Sequence, residues 1–181
     1  MTKYQYYYKR NLPHYQPPGA TFFITFRLYG SLPFVVIQQL EELKNSEMKE
    51  DLGEKDFTEY FSVNKAFALL DNCLDNPEIG PQWLKDNRIV QMVSDSIHYR
   101  DGKQYRLDAF CIMPNHVHLV ITPLMGERQY FSLAEILQSL KGYTARKANQ
   151  ILCRSGFFWQ HESYDHAVRN EQELLKIVQY V

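Results

Sequence analysis

The stretch "YRLDAFCIMPNHVHLVITPL" (residues 105–124) decides the fold, because it contains two apolar runs on either side of a short turn. Residues 105–114 alternate as in a half-buried strand, and residues 116–124 read as a second strand. The link is only "PN", which predicts an antiparallel hairpin with Pro114 at its turn. The second strand opens with two histidines one residue apart, and their presence in so apolar a segment needs an explanation.

The segment before this hairpin predicts one strand followed by helices. The aromatic and β-branched residues of "ATFFITFRLYG" (20–30) are typical of a strand. Apolar residues at helical spacing predict helices in residues 33–51, in residues 62–76 and from residue 81 to residue 102. We therefore expect residues 34–104 to form an enlarged helical crossover between the first strand and the hairpin.

The segment after the hairpin predicts a helix, a strand and a second helix. Ser132 and Glu135 form a capping box at the start of a helix over residues 131–152. Residues 156–170 predict a strand and a turn, and residues 171–181 predict a helix. This order of elements is the split β-α-β topology. We predict an α+β, ferredoxin-like fold, with an antiparallel sheet, helices on one side and a helical insertion after the first strand.

The composition is that of a single globular domain. Of the 181 residues, 45% are hydrophobic, which is enough for one hydrophobic core. We therefore expect residues 1–181 to form one domain. No apolar run reaches the roughly 18 residues of a membrane span, and the N-terminus has no apolar signal-peptide core. The three cysteines show neither disulfide nor zinc-site spacing. We expect a cytoplasmic protein with no membrane partner.

The charge is nearly balanced overall but unevenly distributed. The net charge is −1, which argues weakly against nucleic acid as a partner. Residues 1–30 have four basic residues and no acid, and residues 132–160 have four basic residues and one acid. Residues 41–59 have eight acids and three lysines. The basic segments indicate either a localised site for a polyanion or ordinary surface scatter, and charge alone leaves both open.

The two histidines, His116 and His118, have two interpretations. On a strand, side chains at i and i+2 point to the same face, so both imidazoles aim one way while Val117 and Leu119 aim the other. Two imidazoles this close can share one metal ion and leave positions for a third ligand and a substrate oxygen. Alternatively, they form two hydrogen-bonded histidines at a sheet surface. The paired His-x-Thr/Ser motifs of the 2H phosphoesterases fit poorly, because neither His116 nor His118 has a Thr or Ser two positions later.

Four segments closely resemble, in order, the HUH single-tyrosine transposases, specifically the REP-associated tyrosine transposase branch: "YYYKR" with "GATFFITFRL", "MPNHVHLVI", "SLAEILQSLKGYTARKAN" and "GFFWQHESYDHAVRN". The resemblance covers most of the chain outside residues 34–100. It implies a ferredoxin-like HUH fold, a divalent metal (Mg²⁺ or Mn²⁺) held by His116 and His118, and a tyrosine nucleophile. It also implies a single-stranded DNA substrate with a hairpin of the repeated extragenic palindrome type, cleaved and rejoined through a 5′-phosphotyrosine.

The nucleophile must be chosen among 13 tyrosines, and composition cannot choose it. The resemblance implies Tyr180, on the last helix. Helical geometry agrees, because Tyr180 lies well off the apolar stripe of that helix and is free to face a site. Tyr164, predicted to lie in a turn, is the second candidate. The stripe comprises Leu174, Ile177, Val178 and Val181.

The third metal ligand is not evident from the sequence. The resemblance implies an Asn or Gln one helical turn after the tyrosine, but the sequence ends at Val181, so the chain looks truncated within the nucleophile helix. We therefore expect slow cleavage that needs a high metal concentration. If the site is instead complete within these residues, His161, Glu162 and His166 are the first places to look.

Aromatic and basic side chains are candidate contacts to the DNA. Tyrosines that alternate with cations suit unpaired bases and phosphates, although an N-terminal arm could equally pack its tyrosines on the sheet. The competing function is a non-catalytic hairpin DNA-binding module, domesticated or truncated, and an unrelated metal-dependent phosphoesterase is a more remote alternative. We expect a monomer or homodimer. The candidate contacts are Tyr6, Tyr7, Lys9 and Arg10 in the arm and Lys141 and Arg146 in the helix over residues 131–152.

Overall fold

A computed structural model of the protein describes residues 7–9, 13–15, 17–40, 42, 69–76 and 79–181. Two short strands near the N-terminus, β1 (Tyr7–Lys9) and β2 (Pro13–Tyr15), pair antiparallel in a small sheet that the sequence patterns do not predict. Residues 34–40 and 69–74 are helical, in agreement with the helices predicted there. The rest of the predicted helix over residues 33–51, and the start of the one over residues 62–76, lie outside the described residues, apart from Glu42.

The main sheet has four antiparallel strands in the order β4-β5-β3-β6, with every neighbouring pair antiparallel. The hairpin of β4 and β5 forms as predicted, with residues 113–115 between the strands. The predicted α+β, ferredoxin-like fold is confirmed. Its strands are β3 (Phe22–Arg27), β4 (Tyr105–Ile112), β5 (His116–Pro123) and β6 (Tyr164–Ala167), and its helices are α1 (Asn87–Arg100), α2 (Leu133–Ile151) and α3 (Glu171–Tyr180).

One face of the sheet carries the larger core. Alternate residues of β3 and β5 point into it, and the two long helices α1 and α2 cover them. The side chains Val117 and Leu119 are fully buried there, as the alternation predicts. Ser132 and Glu135 form the predicted capping box of α2, in which Glu135 N–H donates to Ser132 Oγ at 3.2 Å. The other members of this layer include Ile24, Phe26, Val93, Ile97, Ile136 and Leu140.

The opposite face of the sheet is also covered, which differs from the expected arrangement with helices on one side. Phe23 and Val120 are buried on this face beneath Leu70 and Leu74 of the helical segment 69–74. Side chains of α3 pack against the same cluster. The physical reason is that β3 and β5 lie in the middle of the sheet and are apolar on both faces, so each face needs a covering layer.

The connection that follows residues 69–76 passes very close to the end of β3. Gly80 has a φ of +72°, and a Cβ at this position would lie 2.6 Å from the carbonyl oxygen of Gly30. Only glycine combines this left-handed backbone with so close an approach. A little further along, Leu84 N–H donates to the Pro114 carbonyl at 3.1 Å, which ties the chain to the turn of the hairpin.

Two further features bear on the sequence predictions. Tyr164, predicted to lie in a turn, is buried in strand β6, where it pairs with Thr25 of β3.

Within the part of the chain that the structure describes, no helix is long and apolar enough to cross a membrane.

Candidate metal and nucleophile site

The two histidines at the start of β5 are buried beneath the second layer. His116 is 0% exposed and His118 is 4% exposed, and their Nε2 atoms lie 2.9 Å apart. The ring of Phe23 stacks on His118 with 5.4 Å between centroids. The imidazoles therefore point to one face, as predicted, but they lie inside a covered layer rather than at an open sheet surface.

Asn115 fixes the orientation and the protonation of His116. Its Nδ2 donates to the Leu74 carbonyl at 2.7 Å, so its Oδ1 must accept from His116 Nδ1, also at 2.7 Å. Burial, with a smaller contribution from His118, lowers the pKa of His116 to about 3, so the ring is neutral at physiological pH. A neutral ring protonated at Nδ1 presents the lone pair of Nε2 towards His118.

Thr25 holds His118 in a similar way. The two residues are directly paired between β3 and β5, and Thr25 Oγ1 lies 2.9 Å from His118 Nδ1. A hydroxyl can accept from a protonated Nδ1, which leaves the Nε2 lone pair of His118 available to a cation. Hydrogen bonds of this kind to the second ring nitrogen are the usual support of histidine metal ligands.

Asp71, on the helical segment 69–74, completes a cluster with the two histidines. One potential ligand atom from each of the three residues lies within 4.8 Å of the others. Asp71 Oδ1 is buried and has no hydrogen-bond partner among the described residues, although it lies 3.5 Å from His118 Nε2. Two imidazole nitrogens and a carboxylate oxygen that lacks a donor fit a divalent cation such as Mn²⁺ or Mg²⁺.

The ionisation of Asp71 is consistent with that fit. Burial alone would raise the pKa of its carboxyl group, but the contacts with His118 and Tyr180 outweigh burial and lower the pKa below its usual value. The side chain is therefore a carboxylate at neutral pH and can offer a negative charge to a cation.

Tyr180 at the end of α3 contacts the same carboxylate. Its hydroxyl donates to Asp71 Oδ2 at 2.5 Å, and its ring lies edge-on to His118 with 5.5 Å between centroids. The residue is 51% exposed, so solvent and a substrate can reach it. Partial burial and the hydrogen bond to Asp71 raise the pKa of Tyr180, so the phenol is protonated at neutral pH.

The structure thus brings together three of the predicted site residues, His116, His118 and Tyr180. The alternatives suggested for a third ligand are not in the cluster. His166 Nε2 lies 2.9 Å from Glu173 Oε1, and the His161 carbonyl accepts from Lys141 Nζ at 2.9 Å. Glu162 lines a groove beside α2.

Of the predicted DNA contacts, Lys141 and Arg146 are not in this cluster. Lys141 and Arg146 are on α2, which covers the sheet face opposite to the histidines. Tyr7 and Lys9 are in β1, where the structure describes the backbone only. Tyr6 and Arg10 lie outside the described residues.

Asp71, Asn115 and Thr25 are the site residues that sequence reasoning missed. Asp71 follows the buried Leu70 and precedes the buried Leu74 by three positions. A carboxylate beside the apolar stripe of a predicted helix is the signal that could have indicated it. Asn115 was predicted as a turn residue, and nothing in the sequence alone pairs it with Leu74.

Comparison with known proteins finds a solved structure with a similar fold, while no curated protein matches the chain. The fold is similar to that of a REP-associated tyrosine transposase bound to a REP hairpin, with 16% identity, a TM-score of 0.50, and coverage of 99% of this chain and 70% of that one. A second solved structure, a proposed transposase from Deinococcus radiodurans R1, has 13% identity and a TM-score of 0.35, over 99% of this chain and 95% of that one.

A family model described as "Transposase IS200 like" matches residues 82–181, which are 100 of the 181 residues. The matched region contains both histidines of the hairpin and Tyr180, while Asp71 lies before it. Because the family model matches more than half of the residues of this chain, the chain belongs to the IS200-like transposase family.

Proposed function

We propose that this protein cleaves and rejoins single-stranded DNA next to a hairpin, through a covalent bond between the DNA and Tyr180. The observation that carries the proposal is the position of Asp71 between the tyrosine and the histidines. One carboxylate oxygen accepts from the Tyr180 hydroxyl, and the other belongs to the cluster with His116 and His118. The attacking group and the candidate cation site therefore share one side chain.

The residues that would hold the cation are Asp71, His116 and His118. A divalent metal bound to them would polarise the scissile phosphate and stabilise the charge that develops on its oxygens. Imidazole ligands suit Mn²⁺ better than Mg²⁺, while the carboxylate suits both. Asn115 and Thr25 would keep the two imidazoles in the orientation that ligation needs.

The chemical step follows from the protonation of Tyr180. The phenol loses its proton as its oxygen attacks phosphorus, and Asp71 Oδ2 is within hydrogen-bond distance to receive that proton. A bond forms between the tyrosine oxygen and phosphorus while the bond from phosphorus to the 3′ oxygen breaks. The 3′ oxygen takes up a proton, and a 5′-phosphotyrosine remains. In rejoining, a 3′-hydroxyl attacks the phosphotyrosine and Tyr180 recovers its proton.

The substrate class rests on the family and on the fold. A hairpin is the partner in the solved REP-associated tyrosine transposase, which has the same fold. We propose a hairpin of the repeated extragenic palindrome type for this chain as well, and we place the reaction in the cytoplasm, with the protein acting as a monomer or homodimer.

The proposal is tested by trapping the covalent adduct. The protein is incubated with end-labelled hairpin DNA and Mn²⁺, and the products are separated on a denaturing gel. The adduct should form with the wild-type chain and disappear in Tyr180→Phe, which removes only the attacking oxygen. Tyr164→Phe, a buried tyrosine in the same protein, is the matched control and should keep the adduct.

Two outcomes would contradict the assignment. An adduct that persists in Tyr180→Phe would move the nucleophile elsewhere. Tight hairpin binding by the wild-type chain with no adduct under any metal condition would instead favour a non-catalytic hairpin DNA-binding module.

The cation site is tested separately by Mn²⁺ binding without DNA. Titration calorimetry should show that Asp71→Asn weakens binding at least tenfold, on the order of the loss expected when a metal site is disturbed, because the variant loses the negative charge of one ligand. Asp95→Asn removes an exposed carboxylate from α1, which covers the opposite face of the sheet, and should bind Mn²⁺ like the wild type. Equal affinity of the wild-type and Asp71→Asn chains would exclude Asp71 as a ligand.

A further inference from the structure

Two large aromatic side chains are exposed beside the end of β3. Tyr29 is 50% exposed and Phe157 is 73% exposed. Their ring centroids are 5.3 Å apart and their planes are tilted by 39°. We refer to these two residues as the aromatic pair. Exposed aromatic rings next to each other form a surface on which another flat, apolar group can pack.

The backbone under the aromatic pair is held by a short ladder of hydrogen bonds. Tyr29 N–H donates to the Phe158 carbonyl, and Gln160 N–H donates to the Arg27 carbonyl, each at 2.8 Å. Leu28 and Trp159 form an antiparallel bridge between these bonds. Because the backbone is already ordered, binding to this surface would cost little additional conformational entropy.

A fixed positive charge lies next to the aromatic pair. The Arg154 guanidinium stacks on Trp83 at 3.7 Å from the ring centroid and donates to the Phe157 carbonyl at 3.1 Å. It also donates to Asn149 Oδ1 at 2.8 Å. Both of these acceptors are neutral oxygens, so these bonds position the guanidinium without neutralising its charge. A phosphate near the aromatic pair would meet a cation already in place.

The aromatic pair lies close to the histidines. Arg27 is paired with His116 across β3 and β5, and Leu28 N–H donates to the Asn115 carbonyl at 2.8 Å. Tyr29 is two residues beyond Arg27. With a rise of ~3.3 Å per residue and ~4.8 Å between strands, the Cα atoms of Tyr29 and His116 are roughly 8 Å apart.

We propose that the aromatic pair binds an unpaired base of single-stranded DNA flanking the hairpin, with Arg154 near the adjacent phosphate. The inference rests on the proposed function, because it assigns a second contact to the same DNA. Every base has a π-face, so stacking here adds affinity with little preference for sequence.

The inference is tested by comparing two DNAs, a blunt hairpin and the same hairpin with single-stranded flanks. Binding is measured by fluorescence anisotropy in the Tyr180→Phe chain, which cannot form the adduct. Phe157→Ala should weaken binding of the flanked hairpin about five- to 150-fold, the range expected for loss of a base stack, and should leave binding of the blunt hairpin within about twofold. Phe157→Leu, which keeps an apolar side chain without a flat ring, should behave like Phe157→Ala.

Two control variants complete the design. Phe157→Trp keeps a flat ring and should retain affinity for the flanked hairpin. Tyr99→Ala removes a 66% exposed aromatic side chain from α1 and should leave binding of both DNAs unchanged. The thermal unfolding midpoint of each variant verifies folding, and Phe157 is sufficiently exposed that its replacement should lower the midpoint little.

The outcomes separate this inference from the proposed function. If the Tyr180→Phe chain with no other substitution binds neither DNA, the proposed function and the inference about the aromatic pair are both wrong. If it binds the flanked hairpin and both Phe157→Ala and Phe157→Leu bind that DNA equally well, only the assignment of the aromatic pair is wrong. Equal weakening for the flanked and blunt hairpins would also overturn the inference, as would a change in oligomeric state with unchanged DNA binding, because the surface would then contact a second copy of the chain.

Discussion

Replacing Asn115 should weaken the cation site without touching a ligand. The side chain is buried and joins two parts of the site, donating to the Leu74 carbonyl and accepting from His116 Nδ1. Asn115→Ala removes both hydrogen bonds. His116 then loses the acceptor that fixes its ring and its tautomer, and the carbonyl on the helical segment that carries Asp71 loses its donor.

The magnitudes follow from these two contacts. A buried group left without its partner costs about 1–3 kcal/mol, so two such groups should lower the free energy of unfolding by roughly 2–6 kcal/mol, with the lower end expected if water enters the space. Loss of the support for a histidine ligand typically weakens metal binding by about 10–100-fold. We expect both effects in Asn115→Ala.

Asn115→Asp separates the two effects. Its carboxylate can still accept from His116 Nδ1, but it cannot donate to the Leu74 carbonyl. This variant should therefore lose stability and largely retain its affinity for Mn²⁺. Stability is measured by urea unfolding with a chelator present, and affinity by titration calorimetry at a temperature where each variant is folded. Wild-type Mn²⁺ affinity in Asn115→Ala, or equal losses in the two variants, would refute the role given to the His116 contact.

Three further predictions concern other parts of the molecule. Thr25→Val removes the hydroxyl beside His118 Nδ1 and should weaken Mn²⁺ binding about tenfold in calorimetry, whereas unchanged affinity would remove Thr25 from the site. Gly80→Ala should lower the free energy of unfolding by more than Gly102→Ala, since both glycines have φ near +70° but only Gly80 meets backbone atoms, and equal losses in urea unfolding would contradict this. Deletion of residues 1–10 should weaken hairpin binding and flatten its salt dependence, and unchanged affinity at low and high salt would exclude the arm as a DNA contact.

Much of the fold was predictable because its signals are local. The hairpin of β4 and β5, the capping box of Ser132 and Glu135, and the order of the elements all follow from patterns within short windows of sequence. The covering of the second face was not predicted. It depends on how segments distant in sequence pack on Phe23 and Val120, and periodicity within one segment does not report this.

The candidate site could likewise be predicted from the sequence only in part. His116 and His118 are recognisable from their spacing, and Tyr180 from its position relative to the apolar stripe of its helix. Asp71 was not recognised, because it meets the histidines only through tertiary packing of the helical segment 69–74. In the sequence alone, nothing distinguishes its carboxylate from that of any other acidic residue on a helix.

The position of Asp71 before the matched region has a thermodynamic consequence. Its helical segment is attached to the sheet through Leu70 and Leu74, while the histidines and Tyr180 come from residues 82–181. If a cation binds all three ligands, attachment of this segment and cation affinity are linked, and each must strengthen the other by the same factor. Substitutions of residues that pack against Leu70 or Leu74 should then change the affinity of the candidate site for a cation, while every residue of the histidine hairpin stays unchanged.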